Sequence, residues 1–347
     1  MILLKSEVAA NLDGTLPGVH RALQQAIELE HATLPTYLYA LYSLKPGKNE
    51  RIASLMLSVI LEEMLHMALA CNILNAVGGH PKIDKPNFIP AYPGPLPGGI
   101  ESNLEVPLSP FSQALIEHVF MVIEEPEDPL QFPVRTTALA AGAPLTIGQF
   151  YDGIKQCIIE LSKKGNIFTG NPSYQLTKGF PSSELRAVHD VKTASTAIDT
   201  IVQQGEGTNT SPIDPQHKPA HYYRYAEIFH GKTLVPNTTP PPDFAYAGEA
   251  ISFDPDGVYP VVTNPALAGY APKSAAAYNN DTFNYTYTSL LRTLHSVFNG
   301  QPGRLIAAVG LMESLKELAF AMMSAIPAGP TMPGLNAGPS FQYTRTV

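Results

Sequence analysis

The chain has 347 residues, 44% of them hydrophobic, enough for two average domains or one large one with insertions. Its net charge is −8 and it has no block of lysine or arginine, which argues against nucleic acid and anionic membrane as partners. No run of about 18 uncharged apolar residues predicts a membrane span, and the first twenty residues carry Lys5, Glu7 and Asp13 in place of a secretory apolar core. The two cysteines, Cys71 and Cys157, sit inside helical patterns and read as core residues of a reducing, cytoplasmic compartment. The 33 prolines gather between the periodic segments, so a helical body with long stiff connections is expected.

In chain order, the 3.6-residue apolar period predicts a first helix over 18–44, with Glu30 on its apolar stripe and Glu28 off it. A carboxylate on a buried stripe has to be paired or metal-bound. Pro35 lies inside this helix and should disturb it. Pro46-Gly47 makes a turn, and a second helix over 49–77 stops at Gly78-Gly79. Its stripe carries Glu63 and, beside it, His66; Glu62 lies on the flank. Residues 80–108 form a Pro/Gly-rich loop, followed by helices near 110–123 and 147–164. A helix over 183–204, capped by Ser182 or Ser183, brings Glu206 just past its C-terminal turn, where the helix dipole disfavours an anion unless a cation is bound. Glu160, beside Lys163 and Lys164, is the rival carboxylate and reads more simply as a solvated residue.

A short helix over 220–230 holds Tyr223, Glu227 and His230 on one face and is stopped by Gly231. Residues 232–280, with Pro240-Pro241-Pro242, are expected as coil. Asp281 is read as the cap of a helix to Phe298, and a last helix covers 302–326.

Two Glu-x-x-His steps stand out, Glu63 to His66 and Glu227 to His230. Residues three apart share one helix face, so each step offers a carboxylate and an imidazole to one ion. Two such helices, with one further Glu from each of two more, make the carboxylate di-metal site of four-helix bundles. The predicted ligands are Glu30, Glu63, His66, Glu206, Glu227 and His230. Tyr37 and Tyr223, on the ligand faces of their helices, are the candidate catalytic tyrosines, with ordinary core packing as the alternative. His221 starts the last bundle helix, and whether it faces the site is left open.

The segments Ala26-Ile27-Glu28-Leu29-Glu30-His31-Ala32-Thr33-Leu34-Pro35-Thr36-Tyr37-Leu38 and Glu62-Glu63-Met64-Leu65-His66-Met67 resemble the ferritin-like domain family that includes the iminophenyl-pyruvate dimer synthases of bisindole pigment pathways. The stretches 197–207, His221-Tyr222-Tyr223-Arg224-Tyr225-Ala226-Glu227-Ile228 and Ala337-Gly338-Pro339-Ser340-Phe341 extend the resemblance over most of the chain. It implies an all-α fold: a ferritin-like four-helix bundle with additional helices and long Pro/Gly-rich loops. A single domain over 1–347 is expected, its bundle core at 18–77 and 183–231, its extra helices at 110–164 and 281–326.

Oxygen and imidazole ligands suit iron, two ions per chain, with manganese as the alternative metal. The sequence therefore predicts a di-iron oxidase or oxygenase of secondary metabolism. Its partners would be dioxygen and a small organic substrate, amino-acid-derived by analogy with the family, and self-association is compatible with this reading. A non-catalytic metal-binding or iron-handling protein, or a bundle with a vacant site, are the competing readings.

Overall fold

The computed structural model describes residues 3–98, 104–126, 145–208, 211–237, 243–265 and 269–344. After a short turn of helix, α1 (Ser6–Ala9), the long helix α2 (Leu16–Tyr42) starts where the Thr15 hydroxyl accepts a hydrogen bond from Gly18 N at 3.1 Å. Pro35 is accommodated within it. Helix α3 (Glu50–Ala76) packs extensively against α2. Among the described residues α3 is the helix long and apolar enough to cross a membrane, yet most of that stretch is buried inside the protein. Its apolar character is that of a core helix, and it carries Glu62, Glu63 and His66 in that core.

Residues 113–124 form α4, capped by the Ser112 hydroxyl, which accepts from Leu115 N at 3.0 Å. Its middle, Ile116–Phe120, is wound as a π turn. Helix α5 (Ile147–Lys164) begins with a reciprocal capping box between Thr146 and Gln149, at the predicted boundary.

Helix α6 (Val191–Glu206) starts later than the sequence suggests. Residues near 183–190 are held out of the helix by Gln175, whose amide donates to Val188 O and accepts from Val188 N, both at 2.6 Å. Asp190 then supplies the cap by accepting from Thr193 N at 2.7 Å. Serine 182 and Ser183, the expected caps, lie well before it.

Helices α2, α3, α6 and α5 pack in a ring: α2 on α3, α3 on α6, α6 on α5 and α5 on α2. The sequence reading put residues 220–230 in the fourth place. Helix α7 (His221–His230) instead lies against α3, α4 and α6, where its first turn faces the bundle interior. Gly231, at φ +67°, takes the left-handed conformation that ends α7 and turns the chain into a hairpin.

That hairpin corrects the expectation of coil over 232–280. β1 (Lys232–Pro236) pairs antiparallel with β2 (Phe244–Ala250), Leu234 opposite Tyr246. Neither strand shows an apolar/polar alternation, β1 reading Lys-Thr-Leu-Val-Pro and β2 Phe-Ala-Tyr-Ala-Gly-Glu-Ala, so periodicity gives no strand signal here. Pro240-Pro241-Pro242 lie outside the described residues. Helix α8 (Ala275–Val297) is capped by Ser274, not Asp281, because the alanine run Ala275-Ala276-Ala277 extends the helix by nearly two turns. Helix α9 (Leu305–Ala325) pairs with α8 and touches α2. The C-terminal segment returns to the bundle: Tyr270 Oη donates to Gly338 O at 2.7 Å, and Phe341 packs on Phe283 with ring centroids 4.8 Å apart. A Cβ on Gly338 would stand 2.0 Å from the Tyr39 hydroxyl, so only glycine fits there. Buried apolar residues from Leu4 to Phe341 form one continuous core.

Candidate metal centre

Glu30 of α2, Glu63 and His66 of α3, Glu124 at the end of α4 and His221 at the start of α7 converge inside the bundle. All of them have largely buried side chains. His66 Nδ1 lies 3.4 Å from Glu30 Oε2 and 3.7 Å from Glu63 Oε1. His221 Nδ1 lies 2.8 Å from Glu63 Oε1 and 3.5 Å from Glu124 Oε2. One ligating atom from each of Glu63, His66 and His221 can be chosen so that all three lie within 4.8 Å of one another.

The far nitrogen of each imidazole is held from behind. His66 Nε2 is 2.9 Å from Gln204 Oε1. The Gln204 amide donates its own N–H to Glu184 Oε2 at 2.6 Å, so its oxygen must face the histidine. His221 Nε2 is 3.2 Å from Glu62 Oε2. Glu62 is also paired with Arg224 at 2.7 Å and Lys218 at 3.2 Å. Burial disfavours its charge, but the His221 and Arg224 contacts outweigh this and hold the carboxyl far below its ordinary range. Both Nε2 atoms therefore carry hydrogen in the neutral rings, and both Nδ1 lone pairs face the carboxylates.

That arrangement repels itself unless positive charge sits within it. Burial, with the charges of Glu124 and Glu30, raises the Glu63 carboxyl to about 7. Burial lowers the His66 pKa, but the Glu30 hydrogen bond and the Glu30 and Glu63 charges reverse this and raise it. For His221, burial is likewise outweighed, by Glu124, Glu62 and Glu63, and the pKa stands well above its ordinary value. Nδ1 of His221 makes no contact of hydrogen-bond geometry despite its short distance to Glu63. Carboxylate oxygens and imidazole nitrogens crowded on a common point suit a shared cation. Three carboxylates and two imidazoles are an oxygen-rich donor set of the kind that suits iron or manganese, and the residues present fit such an ion.

Other groups set the shape. Thr33 Oγ1 donates to Glu63 Oε2 at 2.9 Å. The Tyr37 hydroxyl donates to Glu124 Oε1 at 2.5 Å, and the Tyr151 hydroxyl donates to Glu30 Oε1. Burial first, and the adjoining carboxylates second, push both phenols well above their ordinary range, so they stay protonated donors. A cavity of about 60 Å³ opens beside the cluster, walled by Leu29, Leu96, Ile123, Ile201 and Val202 and touched by Glu30, Glu63, His66 and Glu124.

Of the six predicted ligands, the structure brings together Glu30, Glu63 and His66. Glu206 lies at the end of α6 on the cavity rim, half-buried. Glu160 is on the surface, paired with Lys163 at 2.6 Å. Glu227 and His230 are elsewhere. The Glu227 carboxylate accepts from Leu234 N at 2.7 Å, tying α7 to β1, and the His230 ring stacks on Tyr246 with centroids 4.3 Å apart.

The second Glu-x-x-His is thus a hairpin anchor, and α7 gives the centre His221 in its place. Tyr37 touches the centre; Tyr223 packs with Ala220 and Leu234 in a separate small cluster. Two residues on, Tyr225 lies against Tyr37 with centroids 5.3 Å apart. Positions two apart on a helix face different sides, so only one of these tyrosines can face the site.

Glu124 and Gln204 were missed by sequence reasoning. Glu124 ends a helix whose π turn breaks the period by which it would have been recognised. Gln204 looked like the uncharged end of a helix.

The Ferritin-like family model matches residues 23–230, more than half of the chain, including both helices of the Glu30, Glu63 and His66 cluster. The chain belongs to the ferritin-like family. A solved ferritin-like protein from Caulobacter vibrioides is 25% identical, with a TM-score of 0.64, covering 95% of this chain and 99% of that one. The dichlorochromopyrrolate synthase of Lentzea aerocolonigenes is 24% identical over an alignment of 391 residues that takes in 93% of this chain. The chain spans only 35% of that relative's length. The ferritin-like, all-α fold that the two N-terminal motifs imply is therefore the fold of this protein, with one two-stranded hairpin added among the described residues.

Proposed function

We propose that this ferritin-like protein is a metal-dependent oxidase or oxygenase that uses iron and dioxygen on a small organic molecule. The observation that carries this reading is the convergence of three buried carboxyl groups and two imidazole Nδ1 atoms on one point, a donor set that a metal ion would hold together. Glu30, Glu63, His66, Glu124 and His221 would hold the metal; when bound, iron supplies one-electron steps and the capacity to use dioxygen.

The chain's own residues have three tasks. Gln204 and Glu62 keep the Nδ1 atoms of His66 and His221 directed inwards. Tyr37 and Tyr151 donate hydrogen bonds to the outer oxygens of Glu124 and Glu30, which fixes the carboxylate rotamers and leaves a proton one bond from each. The leucine, isoleucine and valine residues make the side of the cluster where dioxygen or the reacting end of a substrate would lie apolar. The similarity to a relative named as the synthase of dichlorochromopyrrolate supports a small-molecule substrate in secondary metabolism.

Iron uptake tests the reading against non-catalytic iron handling. Ferrous iron is added to the purified chain without oxygen, air is admitted, and iron per chain is counted over repeated cycles. Retention should level off at one or two ions per chain, and a small organic substrate should change the rate of dioxygen consumption. Uptake of many ions per chain would identify a store, and no retention at all would identify a bundle without a metal.

A further inference from the structure

Glu30 and His31 are neighbours in sequence but about 100° apart around α2. Glu30 faces the metal cluster. His31 faces the other side, where α2, α3, α8 and α9 enclose a second cavity of about 90 Å³. Its wall is apolar almost throughout, with leucines and phenylalanines and three adaptable methionines, Met64, Met67 and Met312.

Three residues with polar groups interrupt the apolar wall, Tyr42, Tyr287 and His31, and two of them touch each other: Tyr287 Oη is 2.8 Å from His31 Nε2. Among the described residues the Tyr287 hydroxyl has no other acceptor for its proton, so it donates to Nε2. In the neutral ring the hydrogen then belongs to Nδ1. That Nδ1 is buried and has no hydrogen-bond partner. A buried donor left without an acceptor costs on the order of 1–3 kcal/mol, which a ligand oxygen would recover.

We propose that this second cavity is a binding site for a small, neutral, apolar molecule carrying one hydrogen-bond acceptor oxygen, a ketone or ether in chemical class, which His31 Nδ1–H recognises. The cavity is smaller than the roughly 150 Å³ that holds benzene, so the occupant is compact or its apolar end displaces the methionine side chains. The site is separate from the metal cluster, from which α2 and α3 divide it, and it stands whether or not the metal reading holds.

Cyclopentanone and cyclopentane are matched probes of this site. The full chain is labelled with carbon-13 at its methionine methyls, and each probe is titrated by NMR. Saturable shifts are expected at Met64, Met67 and Met312, with cyclopentanone preferred roughly three- to tenfold, the range one neutral hydrogen bond supports. In the His31→Phe variant this preference should be lost, with cyclopentane binding at least as tightly as cyclopentanone, because the ketone gives up its water hydrogen bonds for none. Ala68→Leu fills the same space and should abolish the saturable shift, which tests the location without touching the histidine. Absence of saturable shifts at those three methyls, equal affinity for the two probes in the unaltered chain, or a preference surviving in His31→Phe would each overturn the proposal.

Discussion

Each imidazole at the centre is gripped through its outer nitrogen by a group that is itself gripped. Gln204 is oriented by Glu184, and Glu62 by Arg224 and Lys218. Removing such an outer partner typically weakens metal binding 10–100-fold while leaving the ligand in place. Gln204→Leu is therefore expected to lower ferrous affinity by roughly that factor, as read by competition with a calibrated chelator, with circular dichroism unchanged. Loss of no more than twofold would show that the Gln204 contact does not direct His66. Glu227→Gln gives the converse expectation. Its carboxylate holds Leu234 N, so the change should loosen the hairpin while metal affinity stays as it was. A tenfold loss of metal in that variant would return Glu227 to the ligand set.

Among the elements, α4 depends most on an irregularity. A π turn carries one more residue per turn than regular α-helix and recurs at functional sites. In α4 it lies between the Ser112 cap and Glu124, and Phe120 at its end packs on Tyr37 with centroids 4.6 Å apart. Inserting one alanine after the exposed His118 adds a residue beyond the one the π turn already absorbs and should swing Glu124 about 100° from its present direction. Metal affinity should then fall to that of Glu124→Ala, at least tenfold below the unaltered chain, while helix content is kept. An affinity equal to the unaltered chain's would mean that the π turn does not aim Glu124.

At the scale of the whole molecule, residues beyond the family match are not an appendage. Phe341 is buried against Phe283 and Tyr287, and Tyr39 of α2 donates to Val262 O. We therefore expect the chain to unfold as one unit, with a single calorimetric transition. Phe341→Ala should lower stability by about 3–5 kcal/mol, the usual range for a buried phenylalanine. Two separated transitions, or a Phe341→Ala chain as stable as its parent, would show that the C-terminal helices form a body of their own.

What was legible in the sequence was local. The 3.6-residue period, the cap at Thr146 and the stop at Gly231 set most helices, and Glu30, Glu63 and His66 showed themselves as charged residues on buried stripes. Those signals live within one or two turns of chain, where geometry ties spacing to direction. The remainder was decided by contacts between distant segments. Gln175 shortened α6 by claiming Val188; β1 claimed Glu227; α7 turned its first residue inward and not its last, so His221 and not His230 reached the centre. A Glu-x-x-His step guarantees that two side chains share a face, but which way that face turns depends on what packs against the helix, and only the assembled bundle determines that.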